Sequence, residues 1–510
     1  MNRNESYNGS QRTLSAIRRV PDDVLIEIFS AFNLATLEYY RSYLPYYFEG
    51  PWVMPRGPIF LGRICRRWRA ATLCSPRLWA SISFAVLHVS RFSDAATIVH
   101  LFAMRSGVYP LQIEITVDPL RPEFWGSCRD DLTPADEESS QPLAEALGAS
   151  VERWQNFYLH SPRGFLKQIE RSLHQSRPRS LPLLEGLHIK DTSHSMGDWP
   201  DTWPVLEQHN LPVDLFAVSP RLRRVCFENP MWDPHYPEQP EVLFPRHQIE
   251  RVPDNFSGDV HSCRELLRLC PNLIRCDNLG IVRGKNGDGQ LVRNNLEVLT
   301  IEFCYGNRHE NEGINTFFEC LELPSLLDLR ICFNWPFEWT SGTQAIFTSF
   351  LLTTSTLQRF VLQHDKCPSG VLRSILAALP SLRDFGLSIR EFGDSLLFSS
   401  EFLEELTFSN NGDAFPLLPN LRALRLSGCI GIATAAFSVM VRSRTKENKD
   451  GERGALLQSL HMRIVSDGST SSTMLLDSEF AEVRSTLGDK ADIQILDKLP
   501  DELPGFPEPL

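Results

Sequence analysis

Leu296-Glu297-Val298-Leu299-Thr300-Ile301 is the stretch on which the reading of most of this chain turns. Behind a leucine anchor, apolar residues alternate with others at the period of a short strand that buries one face. The phrase, leucine then x-x-apolar-x-apolar, returns at Leu184, Leu222, Leu326, Leu357, Leu382, Leu403, Leu421 and Leu457. A degenerate copy begins at Leu273, with Cys276 and Asn278 in the apolar slots. Helical spacing precedes some copies, as in Leu372 to Pro380 and Leu266 to Pro271. A single helix–turn–strand unit cannot bury its apolar faces alone. Stacked units can, as a parallel sheet with helices behind it.

Over residues 181–465 the series resembles a leucine-rich repeat, with anchor spacings that range from 18 (Leu403 to Leu421) to 51 residues (Leu222 to Leu273). The resemblance implies an irregular curved solenoid with short parallel strands. In such an array the middle residue of each apolar-x-apolar triplet faces the open side. That row is His188, Cys226, Thr300, Arg330, Val361, Gly386, Thr407, Arg425 and His461. His188, Thr300, Arg330, Thr407, Arg425 and His461 are its candidates for contacting a target protein. Two excursions, Asp191 to Pro204 and Pro230 to Pro240, carry tryptophans and prolines that cannot continue the repeat.

Ahead of the repeats lies Val20-Pro21-Asp22-Asp23-Val24-Leu25, continuing to Ile28-Phe29. Proline suits a first helical position and the aspartates suit the positive end of a helix dipole. Val24, Leu25, Ile28 and Phe29 share one apolar face, and Leu61, Ile64, Cys65 and Trp68 repeat that spacing. Ser75-Pro76 reads as an N-cap opening a third short helix with Leu78 and Trp79. Three short helices make a small core, so a partner is expected to finish part of it.

This segment resembles an F-box of the type abundant in fungi, through Pro21, Leu25, Ile28, Leu61-Gly62-x-x-Cys65-x-x-Trp68-Arg69 and Pro76-Arg77-Leu78-Trp79. The resemblance implies docking on a Skp-type adaptor and, through it, on a cullin ubiquitin ligase. The adaptor-facing residues it implies are Pro21, Leu25, Ile28, Leu61, Ile64, Cys65 and Trp68, with Trp79 in the core. Residues 33–57, with Tyr39, Tyr40, Tyr43, Tyr46, Tyr47 and Trp52, form an insert that the compact family pattern lacks.

The expected class is therefore mixed α+β and α/β. Its parts are a polar N-terminus (1–17), a helical head (18–90), a linking α/β region (91–180), the repeats (181–465) and a capping segment with an acidic, proline-rich tail (466–510). The linking region is expected to hold a helix over Ala95–Met104, a strand over Leu111–Val117, a solvated loop over Arg129–Pro142 and helical spacing over Leu143–Phe157.

At 510 residues, 42% hydrophobic and 22% charged, with mean hydropathy −0.20, the composition is that of a soluble globular chain. No run approaches a membrane helix and Met1–Ser10 has no apolar signal region, so an intracellular place, cytoplasmic or nuclear, is expected. Twelve cysteines sit singly, without a C-x-x-C pair, as buried thiols would. Net charge is −12, yet residues 1–90 hold 11 Arg and 6 acids (+5), leaving −17 on the rest. A basic head suits an acidic protein partner; nucleic acid is the weaker alternative and a membrane is not expected.

No catalytic set stands out. Gly280 to Asn286 lacks phosphate-loop spacing, His364-Asp365-Lys366-Cys367 is adjacency in sequence only, and no zinc-type spacing or G-x-S-x-G occurs. The expectation is a binding protein without cofactor, metal or activity of its own. It either presents a target for ubiquitination or, alternatively, scaffolds partners without promoting it.

Overall fold

The computed structural model describes residues 20–43, 52–53, 57–86, 88–117, 134–176, 180–191, 213–228, 242–253, 256–283, 290–303, 311–333, 337–364, 367–389, 397–408, 416–428, 432–445, 456–465 and 480–496. The expectations for 1–17, most of the two tryptophan- and proline-bearing excursions, the stretch 284–289 and the acidic tail lie outside the described residues. The chain divides into two units, residues 1–245 and 246–510.

The first unit opens with helices α1 (Asp22–Tyr43), α2 (Pro58–Ile64) and α3 (Arg66–Cys74) and a 3-10 turn (Pro76–Trp79). Helix α1 runs into the expected insert, whose Trp52–Val53 forms strand β1. The apolar pattern through Leu61 and Trp68 is not one helix. Cys65 is extended at φ −156°, and its sulfur caps α3 by accepting from the Trp68 amide at 3.4 Å. Ser75 precedes the 3-10 turn without a side-chain cap bond. The Trp79 indole instead fixes that turn, donating to the Thr72 carbonyl at 2.8 Å.

Strand β2 (Ser81–Val86) then pairs antiparallel with β1 and parallel with β3 (Leu111–Val117), with α4 (Phe92–Arg105) between them. After α5 (Pro134–Gly148) comes β4 (Trp154–Ser161), then α6 (Arg163–Ser176), β5 (Gly186–Asp191) and β6 (Arg224–Glu228), all strands parallel to their neighbours. Parallel pairing thus crosses residue 181 without a break. The loop expected over Arg129–Pro142 is helical from Pro134. Its Ser140 is fully buried and bonds to the Gln168 side chain. Acidic, serine-rich composition misled here because an element's outer face is solvated whether it is helix or loop. The helical spacing expected over Leu143–Phe157 likewise ends early, at Gly148, and the β4 strand takes its last residues.

The second unit begins with β7 (Arg251–Val252), β8 (Phe256–Asp259), α7 (Val260–Leu269) and β9 (Arg275–Arg283). A small ladder joins β10 (Val292–Arg293) to β12 (Leu321–Glu322). The main series is β11 (Val298–Phe303), α8 (Asn311–Glu319), β13 (Asp328–Phe333), α9 (Ser341–Thr353), β14 (Arg359–His364), α10 (Ser369–Ala377) and β15 (Asp384–Ile389). It continues through α11 (Ser400–Leu406), β16 (Ala423–Gly428), α12 (Thr434–Thr445), β17 (Ser459–Val465), α13 (Ala481–Leu487) and β18 (Ala491–Leu496). From β9 to β18 each main strand pairs parallel with the next. The fold is α/β with extensive parallel sheet, and the strand series extends past residue 465.

Within each strand the leucine, isoleucine and phenylalanine positions go inward. β11 and β13 both alternate half-buried with buried. Helices cover that face, as Phe303 against Phe318 (6.2 Å) and Phe347 against Phe360 (6.4 Å) show. Two copies of the phrase differ from expectation. In β9 a register shift carries Leu279, not Asn278, into the slot beside Ile301. Asn278 instead donates to Glu302 at 2.9 Å. Leu403 lies in helix α11, whose cap Ser399 accepts from the Phe402 amide and which buries Phe402, Leu403 and Leu406. Thr407 is the residue that ends this helix, so it is not an open-face strand position. Leu-x-x-Leu-x-Phe fits both periods, and the serine cap decides for helix.

The end of β16 needs glycine. Gly428 has φ +95°, and a Cβ there would stand 1.9 Å from the Ile389 carbonyl oxygen.

Candidate functional site

The first candidate is the outer surface of α1 and α2. Helix α1 is apolar on two adjoining stripes. Leu25 and Phe29 go inward (2% and 1% exposed), and Phe29 packs on Trp68 at 4.8 Å. Val24 and Ile28 face outward, 45% and 51% exposed. Phe32 follows one turn later and stacks on Phe60 of α2 at 6.4 Å, and Ile64 lies one turn beyond Phe60 at 49% exposure. The result is one apolar strip across two helices. Arg63 of α2 and Arg66 and Arg69 of α3 are exposed. Arg67 ties α3 to the start of α1, donating from Nε (3.0 Å) and Nη2 (2.6 Å) to Asp22 and also to the Val20 carbonyl.

Of the seven residues expected to face an adaptor, Pro21, Ile28, Ile64 and Cys65 are exposed and Trp68 is half-buried. Leu25 and Leu61 are corrected to core positions, 2% and 3% exposed. A four-residue apolar group at helical spacing is wider than one contact stripe, and the chain's own core claims its inner half. Val24, Phe32 and Phe60 were missed. Phe32 lay at the insert boundary and Phe60 ahead of the motif, although both continue the i, i+4 spacing of residues already in hand.

The second candidate is the sheet face opposite the helices in the second unit. Thr300, Arg330, Val361, Gly386, Arg425 and His461 occupy one register row, followed by Asp492. His188 belongs to the first unit, in register with Tyr158 and Cys226 and 4.2 Å from the Tyr158 ring. Two residues earlier along these strands lie Asp328, Arg359 and Asp384, adjacent in register and absent from the sequence-derived row.

Together these residues form a ladder. Arg330 reaches Asp328 at 3.3 Å, Arg359 reaches Asp328 at 3.7 Å and Asp384 at 3.4 Å, and Arg425 reaches Asp384 at 2.9 Å. Three guanidiniums against two carboxylates leave +1. Arg330 Nε, Arg359 Nε and Nη2, Arg425 Nη1 and one carboxylate oxygen each of Asp328 and Asp384 are buried without a hydrogen-bond partner. Burial pushes the Arg359 guanidinium below its ordinary range, against the pull of Asp328. Burial likewise raises Asp384, outweighing Arg425 and Arg359 beside it. The signal was available: Leu326-Leu327-Asp328, Leu357-Gln358-Arg359 and Leu382-Arg383-Asp384 put a charge two residues after each anchor.

Among the described residues no cluster of three or more His, Cys, Asp or Glu could hold a metal, and no helix is long and apolar enough to cross a membrane. Cys270 is buried and Cys367 half-buried by accessible surface; desolvation pushes both thiols up to about 12, which makes them poor nucleophiles at neutral pH. No protein-family model matches the chain, and no curated protein matches it.

Proposed function

We propose that this protein is the target-recognition subunit of a Skp–cullin–F-box ubiquitin ligase, docking on the adaptor through α1 and α2. The supporting observation is the outward stripe of Val24, Ile28 and Ile64 within the segment whose motif resembles an F-box. Large apolar side chains aligned over two helices, in a segment that also exposes several arginines, are the chemistry of a protein interface with an acidic partner. In this reading the leucine-rich-repeat-like region holds a target protein. The ligase gains rate by raising the effective concentration of target lysines near the charged conjugating enzyme, so the chain supplies positioning and no reacting group.

Co-expression with a Skp-type adaptor and affinity capture of the complex tests this. The wild-type chain is expected to bring the adaptor down, and Ile28→Asp with Ile64→Asp is expected to lose it. Adaptor retained by a folded double variant, or never captured by the wild type, counts against the proposal. A captured target that accumulates when the cullin is inhibited separates a ligase subunit from a scaffold.

A further inference from the structure

We infer that the charged sheet face of the second unit binds an extended acidic peptide segment, two of whose carboxylates, four residues apart, meet Arg330 and Arg425. This rests on the part of the proposed function in which the repeat-like region holds a target, and names that target's chemistry; its test does not involve the adaptor.

Charge is the first support. Residues 91–510 carry −17, so most of the surface repels an acidic chain, yet the ladder on β13 to β16 has one guanidinium more than its carboxylates can neutralise. The surplus lies at the ends. Arg359 stands between two aspartates, whereas Arg330 and Arg425 each reach one. Their surroundings strengthen any pairing. Both are at least three-quarters buried, and Val361 and Gly386 between them form a floor with no charged or polar side-chain atom. A carboxylate meeting them there is poorly screened by solvent and accepts charge-assisted hydrogen bonds.

Geometry is the second support. Arg330, Val361, Gly386 and Arg425 follow one another in register on β13, β14, β15 and β16. Three inter-strand steps of about 4.8 Å place the Cα atoms of the end arginines about 14 Å apart across the sheet, with the Arg425 guanidinium drawn toward Asp384 on the neighbouring strand. An extended peptide rises about 3.4 Å per residue, so residues i and i+4 span about 14 Å and point to the same side. The strands that carry the end arginines therefore match, Cα to Cα, the rise of an extended peptide over four residues.

The test is fluorescence anisotropy of the full chain with fluorescein-labelled peptides of equal length. One carries two glutamates at i and i+4, another the same two at i and i+3, and a third has glutamines in their place. The i, i+4 peptide is expected to bind about tenfold more tightly than either of the others, with affinity falling as salt rises. Arg330→Gln with Arg425→Gln removes both end charges but leaves Arg359 between its aspartates, and is expected to abolish the preference. Arg425→Lys is expected to keep part of it. Equal binding of the glutamate and glutamine peptides overturns the inference without recourse to any variant. So does a preference that survives in the folded double variant, or an oligonucleotide that displaces the peptide at lower concentration than unlabelled peptide does.

Discussion

His364 is buried at 0% exposure among aromatic rings, with Phe333 at 5.0 Å, Phe337 at 5.9 Å and Trp339 at 6.0 Å. Burial lowers its pKa from the ordinary 6.5 to about 4. The unfolded chain therefore binds the extra proton first as pH falls. The stability this neutral ring contributes is fully present above pH 6.5 and is lost progressively down to about pH 4. The amount at stake is about 3 kcal/mol. His364→Phe keeps a ring in place, and its denaturation midpoint should change less between those two pH values than that of the wild type. Arg444 presents the opposite case, a buried cation held by carbonyls alone. It donates to Leu406 at 2.6 Å, Leu418 at 2.9 Å and Leu417 at 2.8 Å, and lies over the Phe408 ring. Leu418 is a non-glycine residue at φ 55°, so the guanidinium also braces a turn the backbone disfavours. Burial pushes Arg444 down to about 10, which still leaves it charged at neutral pH. Arg444→Met, read by urea unfolding, should cost about 2–4 kcal/mol, because three carbonyls lose a charged donor and only that of Leu418 keeps a second one, the Leu421 amide. No sequence pattern announced this residue, since one arginine in a helix looks like any solvated one.

At the scale of the helix, the two stripes of α1 make separable predictions. Leu25→Ala removes a core side chain and should lower stability by about 2–4 kcal/mol, with adaptor capture falling only as far as the fold does. Ile28→Asp and Ile64→Asp alter side chains that are about half exposed, so each should shift the urea midpoint little while capture disappears. If Leu25→Ala leaves stability untouched, the inward stripe has been placed wrongly. The same contrast shows what the sequence made legible. Alternation in Leu296–Ile301 identified a strand and its buried side, and the series of such phrases identified parallel sheet, because burial of one face imposes a period of two. Periodicity says less when both periods fit the same letters. Leu403–Leu406 went to helix through a serine cap, and Cys276–Leu279 took a register shift that no local pattern displays. The candidate surfaces were legible in part for a related reason. Hydrophobic spacing marks where a helix is apolar but not which half its own core will claim. The middle residue of each triplet was read, whereas the charge two residues earlier, which closes the ladder, was not.

Over the whole chain, charge is segregated: +5 on residues 1–90 against −17 on the remainder. A distribution of this kind acts mainly on encounter. Long-range attraction between a basic head and an acidic partner raises the association rate, while the apolar contact, once formed, governs dissociation. Arg63, Arg66 and Arg69 are exposed on α2 and α3, so they can steer without being buried in the core. Changing all three to glutamate should slow association with the adaptor by about tenfold or more at low salt and leave dissociation within about threefold of wild type. The wild-type association rate should fall steeply as salt rises, and the variant's should fall little or even increase. Surface-plasmon measurements over a salt series check both. Arg330→Gln with Arg425→Gln changes the net charge by two outside residues 1–90 and serves as the control: if it slows adaptor association as much as the head variant does, total charge and not the position of these arginines controls the encounter. A dissociation rate that rises while association holds would instead place Arg63, Arg66 and Arg69 inside the contact.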